Sequence, residues 1–179
     1  VSTDSDLIRR SMASPAEFGA LFDRHAVTVH RYASSRVGAT IADDVLSETF
    51  LAAFENRGRF DHSRDSALPW LLGIATNQLH RHHRAEARLF AVTEKSAGKL
   101  AAAASADPDD LRDVASALKR MPPADRDTLL LFAWADLSYD EIAVAMQVPV
   151  GTVRSRLNRA RKTVRELIGA TEPEEVHHG

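Results

Sequence analysis

Between Thr152 and Arg165 lie six cations, Arg154, Arg156, Arg159, Arg161, Lys162 and Arg165, with no acid among them. Like charges three or four residues apart on a helix repel each other, so such a run calls for a partner that neutralises it. Phosphates supply that chemistry. Arg, Asn and Ser interleaved with the cations can also hydrogen-bond base edges, Arg as a bidentate donor to guanine. A second basic stretch holds Arg81, Arg84 and Arg88 with His80, His82 and His83 against the single acid Glu86. Acids gather elsewhere: Asp43, Asp44 and Glu48, then Asp107, Asp109, Asp110 and Asp113, then Glu172, Glu174 and Glu175. The net charge of −2 averages over this pattern. Two cationic stretches on an otherwise acidic chain point to two separate contacts with a polyanion.

Catalytic and metal chemistry find less support. The chain contains no cysteine, which excludes a disulfide scaffold, a thiolate metal site and a cysteine nucleophile. Asp44 and Glu48 share a helix face, but a carboxylate metal site in a helical bundle draws further ligands from partner helices, and no His-bearing motif of that kind is present. Docking onto basic side chains of another protein suits these acids better, an ordinary solvated face being the plainer reading. His80 and His83 stand one helical turn apart, a weak zinc pair without a third ligand; as part of the cationic surface they gain charge as pH falls. The expectation is no catalytic residue, no metal and no cofactor. His177 and His178 are left out of the reading.

The elements that position these groups are helices. Ser138-Tyr139-Asp140-Glu141 has the spacing of a capping box and opens a short helix containing Ile142, Ala143 and Met146. A turn follows at Gln147-Val148-Pro149. A longer helix then places Val150, Val153, Leu157, Ala160, Val164 and Ile168 on one stripe, leaving Thr152, Arg154, Ser155, Asn158, Arg159, Arg161 and Lys162 off it. Short helix, tight turn and long cationic helix make a helix-turn-helix whose second helix suits the major groove.

Upstream, Ser14-Pro15-Ala16-Glu17 predicts a helix start, with Phe18, Leu21, Phe22, Val29, Tyr32 and Ala33 inward up to Gly38. A second helix runs from about Thr40 to Gly58 with Ile41, Val45, Phe50, Ala53 and Phe54 inward. Residues 57–68 carry no period and read as a polar loop. Pro69-Trp70 opens a third helix, with Leu71, Leu72, Ala75 and Leu79 on one side, that runs into the basic stretch. Residues 91–107 thin to Ala, Ser, Lys and Gly and read as a linker. Asp107-Pro108 starts another helix with Leu111, Val114, Leu118 and Met121 inward, and Pro122-Pro123 halts it. A short helix follows over 124–134. The fold class is therefore all-α: a helical domain over 1–90, a flexible linker over 91–107, a second helical domain over 108–170 and an acidic tail over 171–179. No apolar run nears the roughly 18 residues of a membrane span, and no export signal opens the chain; the expectation is a cytoplasmic protein with no stable membrane insertion.

The motifs resemble those of extracytoplasmic-function (ECF) RNA polymerase sigma factors. Ser138–Ala143 with Pro149–Leu157 and Arg159-Ala160-Arg161 resembles the family's helix-turn-helix for the minus-thirty-five promoter element. Ala42–Phe50 resembles the acidic helix that docks on the beta-prime clamp helices, and Trp70–Asn77 the helix after the minus-ten reading loop. The resemblance implies core RNA polymerase (beta-prime clamp helices and beta flap) and promoter DNA as partners, an anti-sigma factor as a further one, and promoter-specific initiation as the function. Carried onto this chain, it assigns Thr152, Arg154, Ser155, Asn158, Arg159, Arg161 and Lys162 to the minus-thirty-five element. It assigns Phe60, Arg64, Asp65, Ser66, Asn77, Arg81 and Arg84 to the minus-ten element, where a flipped base is held. Asp43, Asp44, Ser47 and Glu48 are assigned to polymerase docking. The family usually has Gln at Ser47, Glu at Asp43 and Gly at Gln147, so Gln147 is expected in a left-handed conformation. A stand-alone helix-turn-helix regulator, and more remotely a helical metalloenzyme, are the alternative functions; the first would bind DNA tightly by itself as a symmetric dimer.

Overall fold

The computed structural model describes residues 2–94 and 118–169. Helix α1 spans Asp4–Ser11. A 3-10 turn at Pro15–Phe18 leads into α2, Gly19–Val37. Helix α3 spans Ala39–Glu55, a second 3-10 turn covers Arg57–Arg59, and α4 spans Leu68–Glu94. Residues 118–120 are helical. Then come α5, Pro123–Ala135, α6, Tyr139–Met146, and α7, Val150–Gly169. Among the described residues there is no strand, and no helix is long and apolar enough to cross a membrane.

The predicted stripes form the cores. Leu21, Val29, Tyr32 and Ala33 of α2 are fully buried, as are Ala42, Val45 and Ala53 of α3 and Leu71, Leu72, Ala75 and Leu79 of α4. Each fully buried Leu or Val contributes about 1.5–3 kcal/mol, so the α4 face alone anchors that long helix firmly. Phe22, although half exposed, sets its ring edge against Phe50 with centroids 4.8 Å apart. In the carboxy-terminal group, Leu131, Ile142, Val153, Leu157 and Ala160 are fully buried.

Two local expectations change. Ser14 makes no capping bond through its side chain, and a 3-10 turn takes the place of the expected first helical turn. Glu17, the partner the capping box requires, instead pairs with Arg10 at 3.3 Å. Helix α1, which carries no long apolar stripe, is present because Thr3 and Asp6 cap each other reciprocally, at 3.2 Å in both directions, and because Leu7 and Ile8 are buried. Gln147 adopts the left-handed conformation, φ 53° and ψ 46°, as its place in the turn requires. Of the expected linker, 91–94 belong to α4. Residues 95–107, the predicted Asp107 helix start with Leu111 and Val114, and the acidic tail lie outside the described residues.

The two helical groups touch. Helix α6 packs on α4 and α5 on α2, and their buried residues form one continuous cluster. Gly73 marks the closest approach: a Cβ there would stand 2.4 Å from the Ala145 carbonyl oxygen. A buried polar chain runs alongside. The Thr76 and Tyr32 hydroxyls lie 2.8 Å apart, Arg36 Nη1 donates to the Tyr32 hydroxyl at 3.0 Å, and Arg36 Nη2 lies 2.6 Å from Asp127 of α5. His80 Nε2 of α4 reaches the other Asp127 oxygen at 2.7 Å.

Candidate nucleic-acid interface

The helix-turn-helix is α6 and α7. The capping box forms as predicted: Ser138 N donates to Glu141 Oε2 at 2.8 Å and Glu141 N to Ser138 Oγ at 3.3 Å. Burial of Val153, Leu157 and Ala160 turns Arg154, Ser155, Asn158 and Lys162 outward, with Thr152 partly exposed. Thr152, Arg154 and Ser155 of that set stand in the first two turns of α7, the end that such motifs present to base edges, and Asn158 and Lys162 stand farther along.

Two of the predicted contacts are tied to the protein. Arg159 donates from Nε and Nη2 to the two oxygens of Asp125, at 2.9 and 2.8 Å. These bonds and the Asp125 charge raise its pKa further above the ordinary arginine value. Arg161 lies 5.2 Å from the Phe132 ring centroid and its guanidinium donates to the Tyr139 hydroxyl at 3.4 Å. Arg154 and Asn158 have no side-chain partner among the described residues, whereas Lys162 stands 3.7 Å from Glu166.

In the amino-terminal bundle, the segment between α3 and α4 is an ordered loop. Arg64, Asp65 and Ser66 are exposed on it. Arg64 pairs with Asp61 at 3.2 Å, and Ser66 Oγ accepts from Leu68 N, the first amide of α4, at 3.3 Å. Phe60 corrects the expectation of a stacking platform: it is buried, its ring 5.3 Å from Trp70 and 5.4 Å from His62. An aromatic beside a long apolar helix gains more from that contact than from water. Asn77 is exposed and lines the small cavity between α4 and α6, whereas Arg81 and Arg84 face outward farther along α4.

The acidic face of α3 is open. Asp43, Asp44, Ser47 and Glu48 are all exposed. Asp43 reaches His30 at 3.0 Å and Glu48 reaches His82 at 3.2 Å; Asp44 has no ion-pair partner among the described residues.

Residues 21–89 match the Sigma-70 region 2 family model, and residues 111–164 match Sigma-70 region 4. RNA polymerase sigma factor CarQ of Myxococcus xanthus is 32% identical over 88% of this chain and 92% of its own. The chain belongs to the ECF RNA polymerase sigma factors. A second relative of this sigma factor, CnrH of Cupriavidus metallidurans, is 30% identical over 93% of the chain and 96% of its own. A structure of CnrH in complex with the cytosolic domain of CnrY superposes with a TM-score of 0.69 over 94% of this chain and 98% of that one, at 28% identity.

Seen in the sigma factor, the three central histidines of α4 face carboxylates of the protein: His80 faces Asp127, His82 faces Glu48, and His83 lies 3.8 Å from Glu86. Burial and the positive charges of Arg36 and Arg126 push His83 below its ordinary value against the opposing pull of Glu86. Arg81, Arg84 and Arg88 are the exposed arginines of that stretch. Sequence reasoning missed Asp4, Asp125 and Asp127. Each is an acid near the start of a helix, where a solvated residue that favours the helix dipole is the ordinary reading, yet each is buried against a distant cation.

Proposed function

We propose that this sigma factor docks on core RNA polymerase through Asp43, Asp44, Ser47 and Glu48 and uses two surfaces to place the enzyme on a promoter. The loop over Arg64–Ser66, with Arg81 and Arg84, meets the minus-ten element. Thr152, Arg154, Ser155 and Asn158 meet the minus-thirty-five element, and Lys162 contacts phosphate. Arg159 and Arg161 hold α7 against α5 and α6 and thereby set its angle. The chain performs no covalent chemistry itself and acts in the cytoplasm beside the polymerase. The observation that carries this reading is an outward cationic recognition helix on the same chain as an exposed acidic helix face.

The separation of the two elements adds a requirement. About 25 base pairs extend roughly 85 Å at 3.4 Å per step, whereas a compact chain of this length has a radius of gyration of roughly 16 Å. The packed arrangement therefore cannot touch both elements, and the seam between α4 and α6 opens in the working complex. A partner protein that holds the packed form fits this requirement; CnrH was solved in complex with the cytosolic domain of CnrY.

Run-off transcription from a randomised promoter library, with core polymerase in the presence and absence of this protein, tests the proposal. Enrichment of one promoter class only in its presence is the expected result. Tight binding to a duplex without polymerase, with no added transcription, would instead make the chain a stand-alone regulator.

A further inference from the structure

Helix α1 lies outside the segments matched by either family model, yet it is fastened to the loop before α4. The Asp4 N–H donates to the Asp65 carbonyl at 3.0 Å. One Asp4 oxygen accepts from the Ala67 N–H at 2.7 Å and lies 2.6 Å from His25 Nε2 of α2. The other accepts from Arg24 of α2. Ser5 Oγ donates to the His62 carbonyl at 3.3 Å and lies 3.0 Å from His62 Nδ1.

Asp4 therefore sits where three elements meet. Its side chain is 3% exposed, so a carboxylate removed from water is satisfied by the Arg24 guanidinium, the His25 imidazole and a loop amide. The contacts bracket the exposed residues, His62 on one side and Asp65 and Ala67 on the other. Arg64, Asp65 and Ser66 face outward from a backbone clipped at both ends. A loop left to itself samples many conformations, and a specific contact made by such a loop bears the entropic cost of ordering it.

We propose that Asp4 is a positioning residue for minus-ten recognition: through α1 it holds residues 62–67 in the conformation that presents Arg64, Asp65 and Ser66 to the promoter. This rests on the reading of that loop as the minus-ten contact. Asp4 does not touch DNA; it acts through the Ala67 amide and the Asp65 carbonyl.

The test uses holoenzyme made with full-length variants and promoters selected from the library by the wild-type protein. Asp4→Ala is expected to lower discrimination between selected and altered minus-ten bases by about tenfold, the scale of one or two charge-assisted hydrogen bonds. Permanganate reactivity of the opened bases falls with it. Competition for core polymerase and dependence on the minus-thirty-five element stay within about twofold, because the Asp4 side chain bonds only Arg24, His25 and Ala67 and none of the residues of those surfaces. Asp4→Asn, which keeps an oxygen for the Ala67 amide, recovers part of the discrimination. Ser5→Ala, which removes the His62 clip and leaves Asp4 in place, shows a smaller loss of the same kind and decides the matter if Asp4→Ala fails to fold. Arg64→Ala and Ser66→Ala in the same assay separate the two claims. If they flatten minus-ten discrimination while folded Asp4→Ala and Ser5→Ala leave it intact, the role of Asp4 is overturned and the loop reading stands. If all four leave it intact, the loop reading fails and the role of Asp4 fails with it.

Discussion

Asp125 grips Arg159 with both carboxylate oxygens from the first turn of α5, and on the proposed reading this contact makes Arg159 a residue that aims the helix, leaving Arg154 to read bases. Asp125→Ala is expected to lower the stability of the α5–α7 group by about 1–3 kcal/mol, with weaker binding at every promoter. Arg154→Ala leaves the melting temperature unchanged and costs about 1–3 kcal/mol at selected upstream positions only. Thermal melts and run-off transcription on substituted promoters distinguish the two. Asp4 carries a pH signature. Burial pushes its carboxyl up, but the bonds from His25, the Ala67 amide and Arg24, together with the His25 charge, outweigh burial and hold it below the ordinary value. A depressed folded pKa stabilises the protein above the unfolded value, about 3.9, and that stabilisation is lost as pH falls through the folded value. The protection factor of the Ala67 amide should thus hold throughout the neutral range and fall only below the ordinary carboxylate range, whereas Asp4→Asn removes that dependence.

At the scale of elements, the turn between α6 and α7 holds a side chain where glycine fits better. Gln147 in the left-handed region costs about 1 kcal/mol, so Gln147→Gly is expected to raise the stability of the motif by roughly that amount, read by chemical denaturation. The helix-turn-helix was legible because its signals are local: the capping spacing of Ser138 and Glu141, and a stripe of Val153, Leu157 and Ala160 at helical steps. The α4 face was legible for the same reason. Helix α1 was not, since eight residues with only Leu7 and Ile8 buried as apolar anchors make no lasting period. The burial of Phe60 was equally hidden, because it depends on Trp70 across the loop. Asp127 reads as a helix-surface acid until Arg36 and His80, far away in sequence, close over it.

At the scale of the whole molecule, the polar chain from Thr76 to Asp127 and the bare flank at Gly73 join the two helical groups. Removing one partner of a buried ion pair costs roughly 3–5 kcal/mol, so Asp127→Ala should loosen the junction strongly. Gly73→Ala does so without touching a charge, since the added methyl meets the Ala145 carbonyl. Small-angle scattering of both variants is expected to show a larger radius of gyration than the wild type while helicity is retained. An unchanged radius would mean that the seam tolerates the methyl. On the proposed opening of the seam, the missing side chain at Gly73 also sets how strongly the polymerase is felt. If docking requires the extended form, the observed dissociation constant is the intrinsic one divided by the fraction of molecules extended. Were that fraction about one in a hundred, a single methyl group placed far from the docking surface would tighten capture by up to about a hundredfold, making the protein a stronger competitor for a shared enzyme without altering any atom that touches it.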